Sequence, residues 1–233
     1  TLIVYAANNV NVMAHSRFVE LVMNSISLAI TAGIGITLIA WMLAYVKRIH
    51  PSPTSHSLIR ISTLGYALPG VLLAVALLKP VGAFDHWLTQ SWPISSNTLL
   101  SGSMLVLLYA YVCRFLTVAY QSFESGFAGI SQDIDAAAQT LGATTREMIR
   151  EIHLPLLKPS IFAACLLVFV DVMRELPATL ILRPFNFDTL ATQVYRLASD
   201  ERLAEASSAA LLIVLIGILP VVLLQRSTSF RRN

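Results

Sequence analysis

The chain has 233 residues, of which 56% are hydrophobic and only 12% are charged. Soluble domains ordinarily have about 45–50% apolar and about 25% charged residues, so the composition excludes a disordered chain and argues against a soluble domain. The net charge is +3, and the basic residues are spread over several segments instead of forming one strip. This distribution argues against nucleic acid as a partner.

The apolar residues are gathered into stretches that are long enough to cross a membrane. A helix needs roughly 20 apolar residues to span about 30 Å of hydrocarbon, and no charged residue occurs in 21–46, 61–78 or 206–225. The sequence therefore predicts an all-α membrane protein. Its expected spans number about five: 21–46, 58–78, 99–120, 159–182 and 206–224.

Three regions follow from these spans: an external approach at 1–20, a transmembrane domain at 21–225 and a cytoplasmic tail at 226–233. Prolines and serines at 51–55 are expected to break the helix after the first span, and Pro69 is expected to kink the second. The chain starts at Thr1 without a leader pattern, which predicts that it is a fragment of a longer polypeptide.

The distribution of lysine and arginine predicts the orientation, because cytoplasmic loops carry an excess of basic residues. The segments 47–60 and 121–158 and the tail together hold nine, whereas the opposite side holds five, at positions 17, 79, 183, 196 and 202. We therefore expect the N-terminus outside and the C-terminus in the cytoplasm.

Residues 131–155, which we call the central loop, are predicted to form two short helices joined by a turn. Ser131 is expected to cap the first helix, whose first turn carries Asp133 and Asp135 where the helix dipole favours negative charge. Gly142 is expected to end it. The sequence Thr144-Thr145-Arg146-Glu147 matches a capping box, so a second helix should start at Thr145 and continue until Pro155 interrupts it.

The central loop also carries a recognisable signature. Ala136-Ala137-Ala138, then Gly142, then Ile152-His153-Leu154-Pro155 have the spacing E-A-A-x3-G-x9-I-x-L-P, which resembles permease subunits of ATP-binding-cassette importers. Ala136 departs from the usual Glu, with Asp135 directly before it. In that family the loop seats in a groove of the ATPase. The resemblance therefore implies a coupling role for Asp135, Ala136, Ala137, Ala138, Gly142, Ile152, Leu154 and Pro155.

Three further segments, 65–70, 174–180 and 197–202, look like those of ferric-iron importer permeases, whose chains commonly fuse two such halves. The resemblance implies the C-terminal half of a type I importer permease for ferric iron in the bacterial inner membrane. It also implies a separate ATPase that binds the ATP, a periplasmic substrate-binding protein, a second permease half, fused or another copy, and surrounding lipid. Relatives for thiamine, sulfate or phosphonates share parts of these segments, so thiamine or an oxyanion is the alternative substrate.

Four ionisable residues are expected at or near membrane depth: Arg114, Asp171, Arg174 and Glu175. Such groups are costly in lipid and should face protein or water. On one continuous helix Asp171 and Glu175 would share a face and could line a path for a hard cation, which prefers oxygen ligands. The alternative is an internal ion pair, Asp171 with Arg174 or Arg114, that holds the third and fourth spans together.

Several chemistries have no motif in the sequence. It contains no G-x-x-x-x-G-K-[ST] phosphate-binding loop and no H-E-x-x-H or closely spaced Cys/His ligand set. We therefore assign no catalytic residue, metal site or cofactor to this chain and expect no enzyme. A membrane-embedded enzyme or a channel that needs no ATPase are alternatives from other classes, and the central-loop signature argues against both.

Overall fold

The computed structural model describes residues 16–91 and 100–229, with side chains except at 219–221 and 223–229. Within these ranges all regular secondary structure is helical, and no strand occurs. The helices are α1 (Ser16–Ile49), α2 (Pro53–Ser62), a 3-10 turn (Leu64–Ala67), α3 (Gly70–Ser91), α4 (Met104–Ala128), α5 (Gln132–Thr140), α6 (Thr145–Glu147), a π-helical segment (Met148–His153), α7 (Leu154–Met173), α8 (Pro177–Leu182), α9 (Leu190–Ser199) and α10 (Leu203–Ser229).

Four helical stretches in the described part of the chain are long and apolar enough to cross a membrane: Ser16–Ile49, Gly70–Ser91, Met104–Ala128 and Thr145–Met173. The fifth predicted span lies within α10, which contributes a shorter apolar stretch, Leu203–Ile218. The 34 residues of α1 correspond to about 51 Å of helix. Because this exceeds the hydrocarbon thickness, α1 can extend past the membrane at the end that carries Lys47 and Arg48.

The core lies where α1, α4 and α7 pack against one another. Small buried residues line these helices and allow the backbones to approach closely, as in other membrane bundles: Ala29, Ala32 and Ala40 on α1, Ala110 and Ala119 on α4, and Ala164 on α7. At Gly33, an added Cβ would lie 3.3 Å from the carbonyl oxygen of Cys165. Cys113 and Cys165 are both free thiols.

The predicted second span, 58–78, is wrong in its bounds. Ser52 and Ser55 form a capping box that starts the separate helix α2 inside the proline-rich segment. The helical structure is then interrupted before Gly70, where only a kink was expected. The reason is that Leu68 precedes a proline and adopts an extended conformation. The membrane helix is therefore α3, and it includes Lys79, which the sequence reasoning placed in an external loop.

The predicted fourth span, 159–182, is also wrong in its bounds. Helical structure runs from Thr145 through the π-helical segment to Met173, so it starts well before Pro159. At the other end α7 stops at Met173, and residues 174–176 separate it from the short helix α8. This interruption, which we call the α7–α8 break, puts backbone turns and charged side chains beside α4.

Candidate functional site

The central loop has the local structure that its sequence predicts. The Ser131 hydroxyl accepts a hydrogen bond from the backbone N–H of Asp133 and caps α5. Thr144 and Glu147 form the predicted capping box at the start of α6. Gly142 has a φ of +82°, a left-handed conformation that glycine adopts without a steric penalty. The predicted helix, turn, helix element is therefore confirmed.

Pro155 does not interrupt the second helix, and that prediction is wrong. The preceding segment, Met148–His153, is π-helical, and the Leu154 N–H donates to the carbonyl of Ile149, five residues back. Pro155 follows directly after this wider π-helical turn, at the start of α7. The central loop is thus joined to a membrane-spanning helix without a break.

Asp135 ties the central loop to the rest of the bundle. Its Oδ2 accepts a hydrogen bond from Arg48 Nε over 2.8 Å, and its Oδ1 lies 2.9 Å from His153 Nε2. A carboxylate can only accept, so His153 Nε2 carries the proton in this contact. Arg48 also donates to the Ser131 carbonyl over 3.0 Å. We call Arg48, Asp135 and His153 the loop clamp, because they join α1, α5 and the segment leading into α7.

The clamp is enclosed on one side by aromatic rings. His153 is fully buried, and its ring makes edge contacts with Tyr45 of α1 and Phe127 of α4 at centroid distances of 5.6 and 5.8 Å. Burial raises the pKa of Asp135, but the hydrogen bonds from His153 and Arg48 outweigh it and leave this pKa below its ordinary value. Asp135 is therefore ionised at neutral pH and holds both donors.

The signature residues divide between buried and exposed positions. Ala138 is buried and Ile152 is half-buried, whereas Ala136 and Ala137 are exposed at the surface of α5. Leu141, beside the Gly142 turn, has 87% of its surface exposed. Leu141 is therefore an exposed apolar side chain at the turn of an anchored loop, and a role for this turn in docking stays a prediction.

The four charged residues that the sequence places near membrane depth as an expectation form two ion pairs. Asp171 pairs with Arg174 three residues later, and Arg114 Nε of α4 lies 3.3 Å from Glu175 Oε2. Because α7 ends at Met173, Asp171 and Glu175 do not share one helical face, and that expectation is wrong. The ion-pair geometry is present. A role for these residues in a substrate path stays a prediction.

Glu175 is the most enclosed member of the group. Its carboxylate also accepts a hydrogen bond from the Ala178 N–H over 3.1 Å, and its carbonyl accepts one from the Thr179 hydroxyl. The Thr179 oxygen lies 2.6 Å from the Tyr111 hydroxyl on α4. Since Thr179 uses its own proton toward Glu175, Tyr111 is the donor in this pair. The α7–α8 break is thereby fixed to α4.

Gly70 makes room for the ion pair between Arg114 and Glu175. A Cβ at Gly70 would collide with Arg114 Nη1 and lie 3.0 Å from Glu175 Oε1. The start of α3 therefore touches both charged groups directly. Tyr66, Phe115 and Pro177 complete a cavity of 440 Å³ around the four charges, which we call the charged cleft.

Three residues with notable contacts in the structure are not predicted as functional from the sequence. In the sequence, Arg48 contributes only to the count of basic residues, His153 appears only as a member of the signature, and no motif singles out Asp85. Asp85 is buried in α3 and accepts hydrogen bonds from the N–H groups of Leu100 and Ser101, before α4 begins. The position of His153 inside the signature was the available signal. Within 16–91 and 100–229 no group of three or more His, Cys, Asp or Glu could hold a metal ion.

Residues 36–232, which include the central loop and the charged cleft, match the family described as "Binding-protein-dependent transport system inner membrane component". The chain belongs to this family. Membership confirms the resemblance to importer permeases. It makes the chain a membrane component of a transport system and not an enzyme.

Two relatives show the range of cargo in similar proteins. The chain is 30% identical over 167 residues to the "Fe(3+)-transport system permease protein FbpB 2" of Haemophilus influenzae, an alignment that covers 72% of this chain and 31% of that protein. It is 28% identical over 127 residues to the "Putative 2-aminoethylphosphonate transport system permease protein PhnV" of Salmonella typhimurium, covering 54% and 48%. The chain thus spans a third to a half of the length of these relatives.

A solved structure shows the same fold. A bacterial ABC transporter involved in the import of the acidic polysaccharide alginate superimposes with a TM-score of 0.72. The superposition covers 96% of this chain and 82% of that one at 16% identity. The all-helical permease fold expected from the sequence is therefore confirmed.

Proposed function

We propose that this chain is the permease portion of an importer for ferric iron, driven by a separate ATPase that docks on the central loop. The loop clamp is the observation that supports this most directly. It links the loop to α1 through Arg48 and to α7 through His153, with contacts of 2.8 and 2.9 Å. A displacement of the loop by a closing ATPase would therefore be passed to two membrane-spanning helices together.

The partners follow from what the chain contributes. It supplies membrane helices and a docking loop, and its sequence has no phosphate-binding loop for ATP. A cytoplasmic ATPase would bind the nucleotide, a periplasmic substrate-binding protein would deliver the cargo, and a second permease half would complete the pathway. In this arrangement the central loop and the C-terminus face the cytoplasm and the N-terminus faces outward.

Ferric iron is the preferred cargo because the sequence resemblance and the 30% identical relative agree on it. A phosphonate is the second candidate, supported by the similarity to PhnV. Thiamine and sulfate are further alternatives that the resemblance of the sequence segments allows. Neither is supported by the two relatives described above.

Reconstitution tests the proposal. The permease, in proteoliposomes with its ATPase and binding protein, should accumulate labelled ferric iron only when ATP is hydrolysed. An ATPase variant that binds but does not hydrolyse ATP is the control. Accumulation without ATP would indicate a channel, and accumulation of 2-aminoethylphosphonate without iron would replace the cargo assignment.

A further inference from the structure

The charged cleft contains equal numbers of acidic and basic groups, but they are not equally accessible. The side chains of Glu175 and Asp171 have only 5% and 12% of their surface exposed. Those of Arg114 and Arg174 have 23% and 65% exposed. A molecule that enters the cleft therefore meets guanidinium groups before it meets a carboxylate.

Both carboxylates are also already engaged. Asp171 pairs with Arg174, and Glu175 forms an ion pair with Arg114 and accepts a hydrogen bond from the Ala178 N–H. A bare hard cation would need carboxylate oxygens that are free to coordinate it. Coordination by these oxygens would break both ion pairs and leave guanidinium charges unpaired.

A donor without an acceptor provides an independent observation. Arg114 Nη1 is buried against Gly70 and has no hydrogen-bond acceptor among the described residues. An unsatisfied buried donor of a charged group is costly and calls for an explanation. An acceptor oxygen brought by a ligand would satisfy it, if the start of α3 moved away from Arg114.

We infer that the charged cleft is a binding site for the oxyanion group of the transported cargo. Arg174 makes the first contact at the exposed side, and Arg114 binds the oxygens further in. Guanidinium groups suit this role because their planar N–H donors match phosphate, phosphonate and carboxylate oxygens. The inference rests on the proposed function, and it means that ferric iron passes the cleft together with an oxyanion ligand and not as a bare ion.

A thiol-protection experiment tests binding without the ATPase. Tyr66 lines the cleft and is 53% exposed, so Tyr66→Cys in the purified permease should react with a maleimide. Inorganic phosphate and 2-aminoethylphosphonate should each slow this reaction about tenfold at saturation, whereas chloride at the same ionic strength should not. The chain without this substitution controls for Cys113 and Cys165.

Arg174→Gln should remove the protection, and Arg174→Lys should retain part of it because the charge remains. Arg202→Gln is the matched control, since Arg202 is an exposed arginine that pairs with an acidic residue three positions away. Equal slowing by chloride, no slowing by either oxyanion, or full protection in Arg174→Gln would overturn the inference.

Uptake measurements then distinguish two sources of the oxyanion: a phosphonate that is itself the cargo, and a phosphate that accompanies iron. In proteoliposomes with ATPase and binding protein, Arg174→Gln should raise the KM for the cargo about tenfold. The cargo is either labelled 2-aminoethylphosphonate or labelled iron supplied with phosphate. An unchanged KM for both would contradict the inference. If the oxyanions protect the thiol but no ATP-driven uptake occurs, the proposed transport function is refuted. The inference of an oxyanion-binding site would then still stand.

Discussion

His153 and Asp135 lie 18 positions apart in the sequence, and their side chains meet at 2.9 Å within the central loop. The imidazole is fully buried, while the carboxylate reaches it from α5 and also holds Arg48. The contact joins the start of the membrane-spanning α7 to the first helix of the loop. It fixes the first helix of the loop to the bundle, while Leu141 at the turn stays exposed.

Replacing His153 should loosen this attachment. In His153→Leu the Asp135 carboxylate loses a donor, which we expect to destabilise the docked loop on the order of 1 kcal/mol. Hydrogen exchange of residues 131–147 should become faster, and ATP hydrolysis should respond less to cargo-loaded binding protein. His153→Gln, which retains an N–H donor, should recover part of both.

His50→Leu is the control for this experiment, because His50 is exposed at the end of α1. If hydrogen exchange of the loop is the same in His153→Leu and His50→Leu, the clamp does not hold the loop.

The clamp should also have a defined pH dependence. Since the pKa of Asp135 is lowered in the folded chain, its stabilising contribution is fully present above the ordinary carboxyl pKa of about 3.9. It is lost as the pH falls through the lower, folded value. Protection of the loop should therefore be constant from neutral pH down to about pH 5 and decline only in stronger acid.

In Asp135→Asn, residue 135 cannot be protonated in acid. The increase in hydrogen exchange of the loop at low pH should therefore be smaller than in the wild type. The difference between the wild-type and variant exchange rates isolates this contribution from other carboxyl groups. A wild-type loop that opens between pH 7 and pH 5 would show that another group controls the attachment.

Gly142 offers a test of backbone conformation alone. An added Cβ would have nothing within 4 Å, so only the φ of +82° opposes a side chain there. Gly142→Val should cost roughly 1–2 kcal/mol in the turn and weaken co-purification of the ATPase. Gly142→Asn should be milder, because asparagine tolerates this conformation. Equal co-purification with the Val variant would count against docking on the central loop.

The sequence predicted the helical membrane fold because long apolar runs have few alternatives in lipid. It misplaced the boundaries of two spans where local interactions decided them. The capping box of Ser52 and Ser55 starts α2 inside a segment that looks like a breaker. The π-helical segment before Pro155 continues a helix that proline was expected to interrupt.

The two candidate sites differed in how well they could be predicted. Caps and the glycine turn of the central loop depend on neighbouring residues, so they were readable from spacing. In the clamp, Asp135 lies 87 positions from Arg48 and 18 positions from His153 along the chain. Only packing brings these three residues together. The pairing of Arg114 with Glu175 likewise depends on α7 ending at Met173, which hydropathy does not reveal.

The proposed orientation can be tested by thiol labelling from outside the cell. Ser91 at the end of α3 and Ala136 on α5 are both exposed, and the orientation places them on opposite sides of the membrane. An impermeant maleimide should label Ser91→Cys in intact cells. It should label Ala136→Cys only after permeabilisation, and the chain without these substitutions reports the background from Cys113 and Cys165. Labelling of Ala136→Cys in sealed cells would show that the orientation is the opposite of the one proposed.

The contact between Gly65 and α4 gives the sharpest packing prediction. A Cβ at Gly65 would collide with the carbonyl group of Cys113, and a backbone carbonyl inside a packed helix has little freedom to move. The same turn is fixed to α4 by a 2.6 Å hydrogen bond from the Thr117 hydroxyl to the Thr63 carbonyl. Gly65→Ala should therefore separate the 3-10 turn from α4, at a cost of about 1–3 kcal/mol as for other overpacked sites.

Gly35→Ala is the matched control, because a Cβ at Gly35 on α1 would have nothing within 4 Å. Thermal unfolding in detergent should show a lowered Tm for Gly65→Ala and little change for Gly35→Ala. The turn at Gly65 also carries Tyr66, which lines the charged cleft, so maleimide labelling of Tyr66→Cys should change when Gly65→Ala is added. An unchanged Tm together with unchanged labelling would mean that α4 accommodates the methyl group, and that the close contact does not position this wall of the cleft.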